Sequence, residues 1–141
     1  MRSTLLIAGG NSGVGLETIR RFDSSSHEIH CATRSRDNLE SLPNVTCHEF
    51  ENPEGLPESA DGAVYFPGTI QLKPFLRLSD EDFQADWEVN FLGAVRFLRR
   101  VVPALQESKA PSPGIVLFST VAVQTGLPFH ASIAGAKAAI E

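Results

Sequence analysis

The chain reads as an α/β protein: a doubly wound parallel sheet with helices on both faces. Two observations predict this. Short apolar runs of strand length alternate with segments of helical periodicity, the pattern of repeated strand–helix–strand units with right-handed crossovers. The first run, Ser3 to Ala8, also breaks directly into Gly9-Gly10-Asn11-Ser12-Gly13-Val14-Gly15, with apolar residues following at 16, 19 and 22. Strand, glycine turn and helix therefore open the chain.

Each element has its own warrant. Ser3-Thr4-Leu5-Leu6-Ile7-Ala8 is a short apolar run bounded by glycine, as suits a buried parallel strand. Ser24-Ser25-Ser26 marks a loop, and His27 to Thr33 alternates, with Ile29 and Cys31 on one side, as a second strand. Arg34-Ser35-Arg36-Asp37 is expected to open a short helix to Leu42, stopped by Pro43-Asn44, and Val45 to Phe50 is the third strand. Asn52 to Pro57 is turn material, and Gly62 to Phe66 is the fourth strand, closed by Pro67-Gly68. The longest helix is predicted from Ser79, a capping residue, with Asp80, Glu81 and Asp82 complementing its dipole. Phe83, Trp87, Phe91, Ala94, Leu98 and Leu105 fall at helical intervals and are expected to form its buried stripe. Pro103 is expected to bend its last turns. A tight connection, Pro111 to Gly114, leads to a fifth strand, Ile115 to Phe118, and a loop leads to a helix beginning near Ser132.

The 141 residues, 42% hydrophobic and 21% charged, suit one domain over residues 1–141 with an ordinary core. No apolar run approaches the roughly 20 residues that span a bilayer, and Leu5 to Ala8 is too short for a signal peptide. A cytoplasmic setting without a membrane partner is the expectation. A net charge of −5 argues against nucleic acid as the partner. Cys31 and Cys47 each fall inside a strand, with neither CxxC spacing nor a histidine at ligand spacing, so buried free thiols and no metal site are expected.

Ligands of such sheets sit at the carboxyl ends of the strands, where strand order reverses. The glycine turn, Pro67-Gly68 and Ser119-Thr120 each follow a strand directly and are expected to line one crevice. Glycine lets the backbone take positive φ and approach a pyrophosphate closely. The helix start then offers unpaired N–H groups and the positive end of its dipole. Gly9, Asn11, Ser12, Gly13, Val14 and Gly15 are accordingly the candidate phosphate-binding residues.

With these residues in view, the sequence resembles the short-chain dehydrogenases/reductases, a family of NAD(P)-dependent oxidoreductases on a Rossmann fold. The family's TGxxxGxG turn matches Ala8 to Gly15, with Ala8 in place of threonine. Its NNAG segment falls on Tyr65-Phe66-Pro67-Gly68, which keeps only the glycine. Its helix asparagine is similar in setting to Asn90, and its serine lands on Thr120, with Ser119 beside it. Its YxxxK motif falls on Ile133-Ala134-Gly135-Ala136-Lys137, which keeps the lysine and not the tyrosine. The resemblance implies a three-layer α/β/α fold, a small carbonyl or alcohol substrate, and catalytic positions at Asn90, Thr120, Ile133 and Lys137. It also implies cofactor contacts from Pro67, Gly68 and Lys137.

In the mechanism so implied, a nicotinamide hydride moves to or from a carbon while the tyrosine hydroxyl exchanges the oxygen's proton. A residue four positions before lysine shares its helical face, so the ammonium can stabilise a phenolate there and hold the nicotinamide ribose. The hydroxyl at Thr120 would bond the substrate oxygen, and the asparagine would support a water relay to the lysine. Ile133 has no proton to exchange. General acid–base help is worth about 10² to 10⁴ in rate, so binding is expected to persist and turnover to be poor. Tyr65, the one tyrosine, ends a strand on the cofactor side, and His130 reads as a loop histidine; neither is expected to stand in. Members of the family continue past the lysine helix with further strands, a substrate-covering segment and much of the oligomer interface. The chain thus reads as the amino-terminal part of such a protein, apparently lacking its C-terminal strands, or as a shortened natural one. Homo-oligomerisation is expected from the apolar surface this would leave.

NAD-preferring members carry an acid at the end of the second strand, about 20 residues beyond the glycines. Here Thr33 is followed by Arg34, Ser35 and Arg36, which suits a 2′-phosphate. NADP(H) is favoured over NAD(H). Glu49 falls near the family's adenine-binding aspartate. Two functions follow: an NADP(H)-dependent carbonyl or alcohol oxidoreductase with impaired chemistry, or a non-catalytic dinucleotide-binding module or partner subunit.

Overall fold

In the computed structural model, which describes residues 2–141, strand β1 (Ser3–Ala8) lies at the centre of a five-stranded sheet. The order is β3-β2-β1-β4-β5, with β2 at His27–Thr33, β3 at Val45–Glu49, β4 at Gly62–Tyr65 and β5 at Gly114–Leu117. The pairs β1–β2, β2–β3 and β1–β4 are parallel. Leu6, Ile7 and Ala8 are all fully buried. Successive strand residues point to opposite faces, so the sheet is covered on both faces at β1, whereas β5 is largely exposed. On one face, Ile7, Ile29 and Cys31 pack with Leu16 and Ile19 of helix α1 (Gly13–Arg21) and with Leu39. Each such aliphatic side chain contributes about 1.5–3 kcal/mol when fully buried. The chain builds β2 and β3 on one side of β1 and then β4 and β5 on the other, so strand order reverses between β1 and β4.

The chain divides into two compact units. One runs to Phe66 and includes Leu98–Val116, holding nearly all of the sheet; the other takes Pro67–Phe97 and Leu117–Glu141. In the first unit the end of helix α3 (Gly93–Gln106) is tied to the approach to β4. The Ala60 N–H donates to the Ala104 carbonyl at 2.9 Å, and the Ser108 hydroxyl to Asp61 Oδ1 at 2.7 Å. The second unit contains a 3₁₀ turn (Phe75–Arg77) and helices α2 (Asp80–Trp87), α4 (Ala122–Thr125) and α5 (Ala131–Ala138). Ser79 caps α2 as expected, and reciprocally: its hydroxyl accepts the Asp82 N–H at 3.3 Å, and its own N–H donates to Asp82 Oδ2 at 3.0 Å.

Several expectations are corrected. Arg34 to Leu42 is a set of turns, not a helix; the Leu39 N–H reaches the Arg36 carbonyl at 2.8 Å and the Leu42 N–H reaches Leu39 at 3.0 Å. The stretch before Pro43 is too short for a helix nucleus to be offset by propagation, and burying Leu39 holds the turn instead. Strands β3 and β4 each stop one residue early, at Glu49 and Tyr65, and β5 begins at Gly114. Helix α4 stands where only a loop was expected.

The long helix is not uniform. Between α2 and α3 the residues Glu88–Leu92 form a π-helical turn, and α3 continues past Pro103. Of the expected stripe, Ala94 and Leu105 are buried, but its first two members are not. Phe83 and Trp87 are 36% and 41% exposed, whereas Asp86 and Asn90 are 0% and 1% exposed. Ala94, Phe97, Val101, Ala104 and Leu105 continue that side. Hydrogen bonds to the Asp86 carboxylate and from the Asn90 NH₂ group offset much of the cost of burying these two polar side chains.

Candidate functional site

The glycine turn belongs to the first unit. Gly9 has φ 76° and its N–H extends the β1–β2 ladder to the Ala32 carbonyl at 3.0 Å. A Cβ on Gly15 would lie 2.4 Å from the Gly9 carbonyl oxygen and 3.2 Å from Gly10 Cα. Only glycine allows the first turn of α1 to sit this close to the end of β1. A Cβ on Gly10 would meet Ile19 Cδ1 at 2.3 Å and Cys31 Sγ at 2.8 Å. Ser12 precedes the helix in extended conformation and its side chain makes no cap hydrogen bond. The helix start is thus left without a side-chain acceptor, and Val14 beside it is 68% exposed. The start of α1 thus meets the end of β1 backbone against backbone, and its N–H groups, uncapped by Ser12, are donors suited to an anion.

Asn38, absent from the expected set, donates from Nδ2 to the Asn11 carbonyl at 2.9 Å and tethers the turn. Its signal was the Asp37-Asn38 pair, which favours turns over helix. Thr33 is buried and its hydroxyl closes a local turn, donating to the Ser35 carbonyl at 2.7 Å and accepting the Ser35 N–H at 3.3 Å. The charge after β2 therefore comes from the arginines. The Arg34 guanidinium lies 5.9 Å from the Phe50 ring centroid. Arg36 is 3.8 Å from Glu49, both side chains more than half exposed, so that pairing is weak and exchangeable. Cys31 and Cys47 are direct partners in register, and both thiols are free. Cys47 is only half-buried, against expectation; Cys31 is fully buried, which pushes its thiol up to about 12.

The four candidate catalytic positions all belong to the second unit. Asn90 sits in the π turn, a distortion that recurs at functional sites. Its Nδ2 donates to the Thr69 carbonyl at 3.0 Å, the Thr69 hydroxyl oxygen at 3.2 Å and the Asp86 carbonyl at 2.9 Å. Its Oδ1 is buried and has no hydrogen-bond partner among the described residues. A Cβ on Gly68 would lie 3.1 Å from that oxygen, which explains glycine after Pro67. Helix α5 packs against α2, the π turn and α4. It carries Ile133, 4% exposed, and Lys137, 9% exposed. Desolvation lowers the Lys137 pKa, and its ammonium has no hydrogen-bond or ion-pair partner among the described residues.

Thr120 is half-buried, and its hydroxyl accepts the Ala122 N–H at 3.3 Å. The neighbouring Ser119 hydroxyl is turned to Glu141 Oε1 at 2.5 Å. His130 stands at the N-terminus of α5 with Nδ1 2.6 Å from the Pro128 carbonyl, after Phe129 at φ 65°. Tyr65 is buried. Thr69 and Asp86 were missed by sequence reasoning. The available signal was the line 86, 90, 94, 97, 101, which has helical spacing but begins with a charge. No group of three or more His, Cys, Asp or Glu suited to a metal occurs among the described residues, and no helix among them is long and apolar enough to cross a membrane.

No family model matches the chain. It is 25% identical over 162 residues to an uncharacterised oxidoreductase of Mycobacterium tuberculosis, covering 97% of this chain and 47% of that protein. It is 22% identical over 147 residues to the 3-oxoacyl-[acyl-carrier-protein] reductase MabA of Mycobacterium avium, covering 97% and 56%. The chain thus spans about half the length of these relatives. Among solved structures it resembles the short-chain dehydrogenase from Shigella flexneri, with TM-score 0.79 and 16% identity over 98% of this chain and 63% of that one. A 4-hydroxyisoleucine dehydrogenase mutant with NADH and succinate gives TM-score 0.78 and 21% identity over 98% and 63%. A tyrosine-to-phenylalanine variant of ElxO with NADPH bound gives 0.81 and 19% over 99% and 64%. At these identities the structures speak to the fold, and that fold is the Rossmann-like α/β arrangement expected.

Proposed function

We propose that this chain, a short-chain dehydrogenase/reductase in its fold and in the order of its motifs, serves an oxidoreductase acting on a carbonyl/alcohol pair with NADP(H). The observation that carries the reading is the Gly9–Gly15 contact, which seats the first turn of α1 against the end of β1 and leaves that turn's N–H groups without a Ser12 side-chain cap. Arg34 and Arg36, with no acid at the end of β2, favour a 2′-phosphate over a bare ribose hydroxyl.

When bound, the nicotinamide supplies or accepts the hydride. The chain's own residues do the rest. Backbone N–H groups at the start of α1 bind the diphosphate, and the Lys137 ammonium, buried and without a partner among the described residues, suits the ribose hydroxyls. The Thr120 hydroxyl is the candidate donor to the substrate oxygen. Asn90 offers a buried acceptor that needs a donor. The family's proton carrier is missing, because Ile133 fills its place with a buried aliphatic group. Turnover is therefore low, and this same residue favours a second reading, a dinucleotide-binding module that assists a catalytic relative. Exposed Leu72, Phe75 and Leu76 support self-association in either case, which sedimentation can read.

Titration with NADPH and NADH by nucleotide fluorescence tests the reading. Saturable binding with NADPH the tighter ligand supports it, and no binding at millimolar concentration rejects both readings. Ile133→Tyr should then raise carbonyl reduction toward the range of about 10² to 10⁴ that acid–base help supplies. An unchanged rate with intact binding selects the binding module.

A further inference from the structure

We propose that Asp86 is a positioning residue, whose carboxylate, through the Thr69 hydroxyl, locks the direction in which the Asn90 amide presents its acceptor alongside two backbone carbonyls. The inference rests on the preceding reading only in giving Asn90 a function. Asp86 lies four residues before Asn90 and is 0% exposed. Its Oδ1 accepts the Thr69 hydroxyl at 2.8 Å and its Oδ2 accepts the Gln71 N–H at 3.3 Å. A hydroxyl has one proton to give. With that proton directed to Asp86, Thr69 Oγ1 can act toward Asn90 only as an acceptor.

The consequence runs through the amide. Thr69 Oγ1, the Thr69 carbonyl and the Asp86 carbonyl form a wall of three acceptors, and only the NH₂ end of Asn90 satisfies it. Oδ1 must then face the other way, toward Gly68, where it is buried and bare among the described residues. A native protein rarely leaves such a group unpaired without a use for it. The chemistry that fits is a single donor: a water, or an N–H or O–H of a ligand. Asparagine at 86 would weaken this. Its amide can donate to Thr69 Oγ1 and free that hydroxyl to point at Asn90, which takes away one of the three acceptors and leaves the NH₂ end held by the two carbonyls alone.

Side-chain amide hydrogen exchange by ¹⁵N NMR tests the proposal, with Asn90→Asp identifying the signal pair by its loss. In the parent chain both Asn90 amide protons should be protected. Asp86→Asn and Thr69→Val should each speed their exchange by about tenfold or more, the loss of one hydrogen bond's worth of protection. Thr69→Ser, which keeps the hydroxyl, should restore it, and backbone exchange elsewhere in the second unit should hold. Unchanged Asn90 signals in Asp86→Asn, or Thr69→Ser behaving like Thr69→Val, would overturn the proposal. If Asp86→Asn fails to fold, Asp86→Ser in the same measurement decides. The measurement needs no nucleotide, so failure to bind NADPH would reject the preceding reading without altering this result.

Discussion

Alanine at position 15 tests whether the glycine turn is shaped by backbone contact. Its Cβ would stand 2.4 Å from the Gly9 carbonyl oxygen and 3.2 Å from Gly10 Cα. Both atoms are backbone and cannot swing aside, so the first turn of α1 must lift from the end of β1. Overpacking of this kind costs about 1–3 kcal/mol. Alanine returns at most about 1 kcal/mol through helix propensity, so Gly15→Ala should lose up to about 2 kcal/mol of stability. Because the lifted amides are the proposed diphosphate donors, NADPH affinity should fall at least about tenfold, one charge-assisted hydrogen bond's worth. Gly10→Ala is the control, since its Cβ meets the far end of Ile19 at 2.3 Å. Ile19→Val removes that methyl and should recover part of the Gly10→Ala loss while leaving Gly15→Ala unrelieved, a coupling readable in a double-mutant cycle. Urea unfolding followed by Trp87 fluorescence gives the stabilities, and nucleotide fluorescence gives the affinities. Wild-type stability and affinity in Gly15→Ala, or equal rescue of both alanines by Ile19→Val, would refute the reasoning.

Three further outcomes follow from charge and burial. Thr33→Asp combined with Arg34→Ala should weaken NADPH by about 10- to 100-fold, the range of a charge-assisted hydrogen bond, and strengthen NADH; undiminished NADPH affinity in titration would exclude Arg34 from the site. Burial lowers the Lys137 pKa, so the folded state disfavours its charged form fully below that lowered value and ceases to as pH rises to the unfolded value of 10.5. Lys137→Met should accordingly stabilise at pH 7 and lose its advantage near pH 10.5, and equal effects at both pH values in urea unfolding would contradict the assignment. Cys31 runs the other way. Its thiol moves from 9.0 to about 12 on folding, so the unfolded chain sheds the proton first and stability falls between those values. The loss at pH 10 is about 1.4 kcal/mol, and Cys31→Ala should flatten that alkaline slope; a slope identical to the parent's would place the titration elsewhere.

What could be read in advance was local. The non-alternating run Ser3 to Ala8 could be buried on both faces only in a covered parallel sheet, and the glycines after it have no comparable use in a helix or strand. The candidate positions Asn90, Thr120, Ile133 and Lys137 came from the resemblance to the family's motifs. Their surroundings were not legible. Asp86 looks like a solvent-facing charge until Thr69 and Gln71 are brought to it by a loop whose path no periodicity reveals. Phe83 and Trp87 looked like core because apolar residues usually are, yet the buried line on that helix starts from two polar groups. The helix expected at Arg34 to Leu42 gave way to turns because Asp37-Asn38 favours a turn and Leu39 is buried by tertiary packing.

The wide turn at Glu88–Leu92 makes the length of this helix a matter of register. Removing a single residue there would heal it into regular α geometry and swing everything ahead of it by about 100° around the axis. Asp86 would leave Thr69, and the bare oxygen of Asn90 would lose its direction. An insertion or deletion that a surface loop absorbs silently would, at this one place, rewrite which side chains face inward.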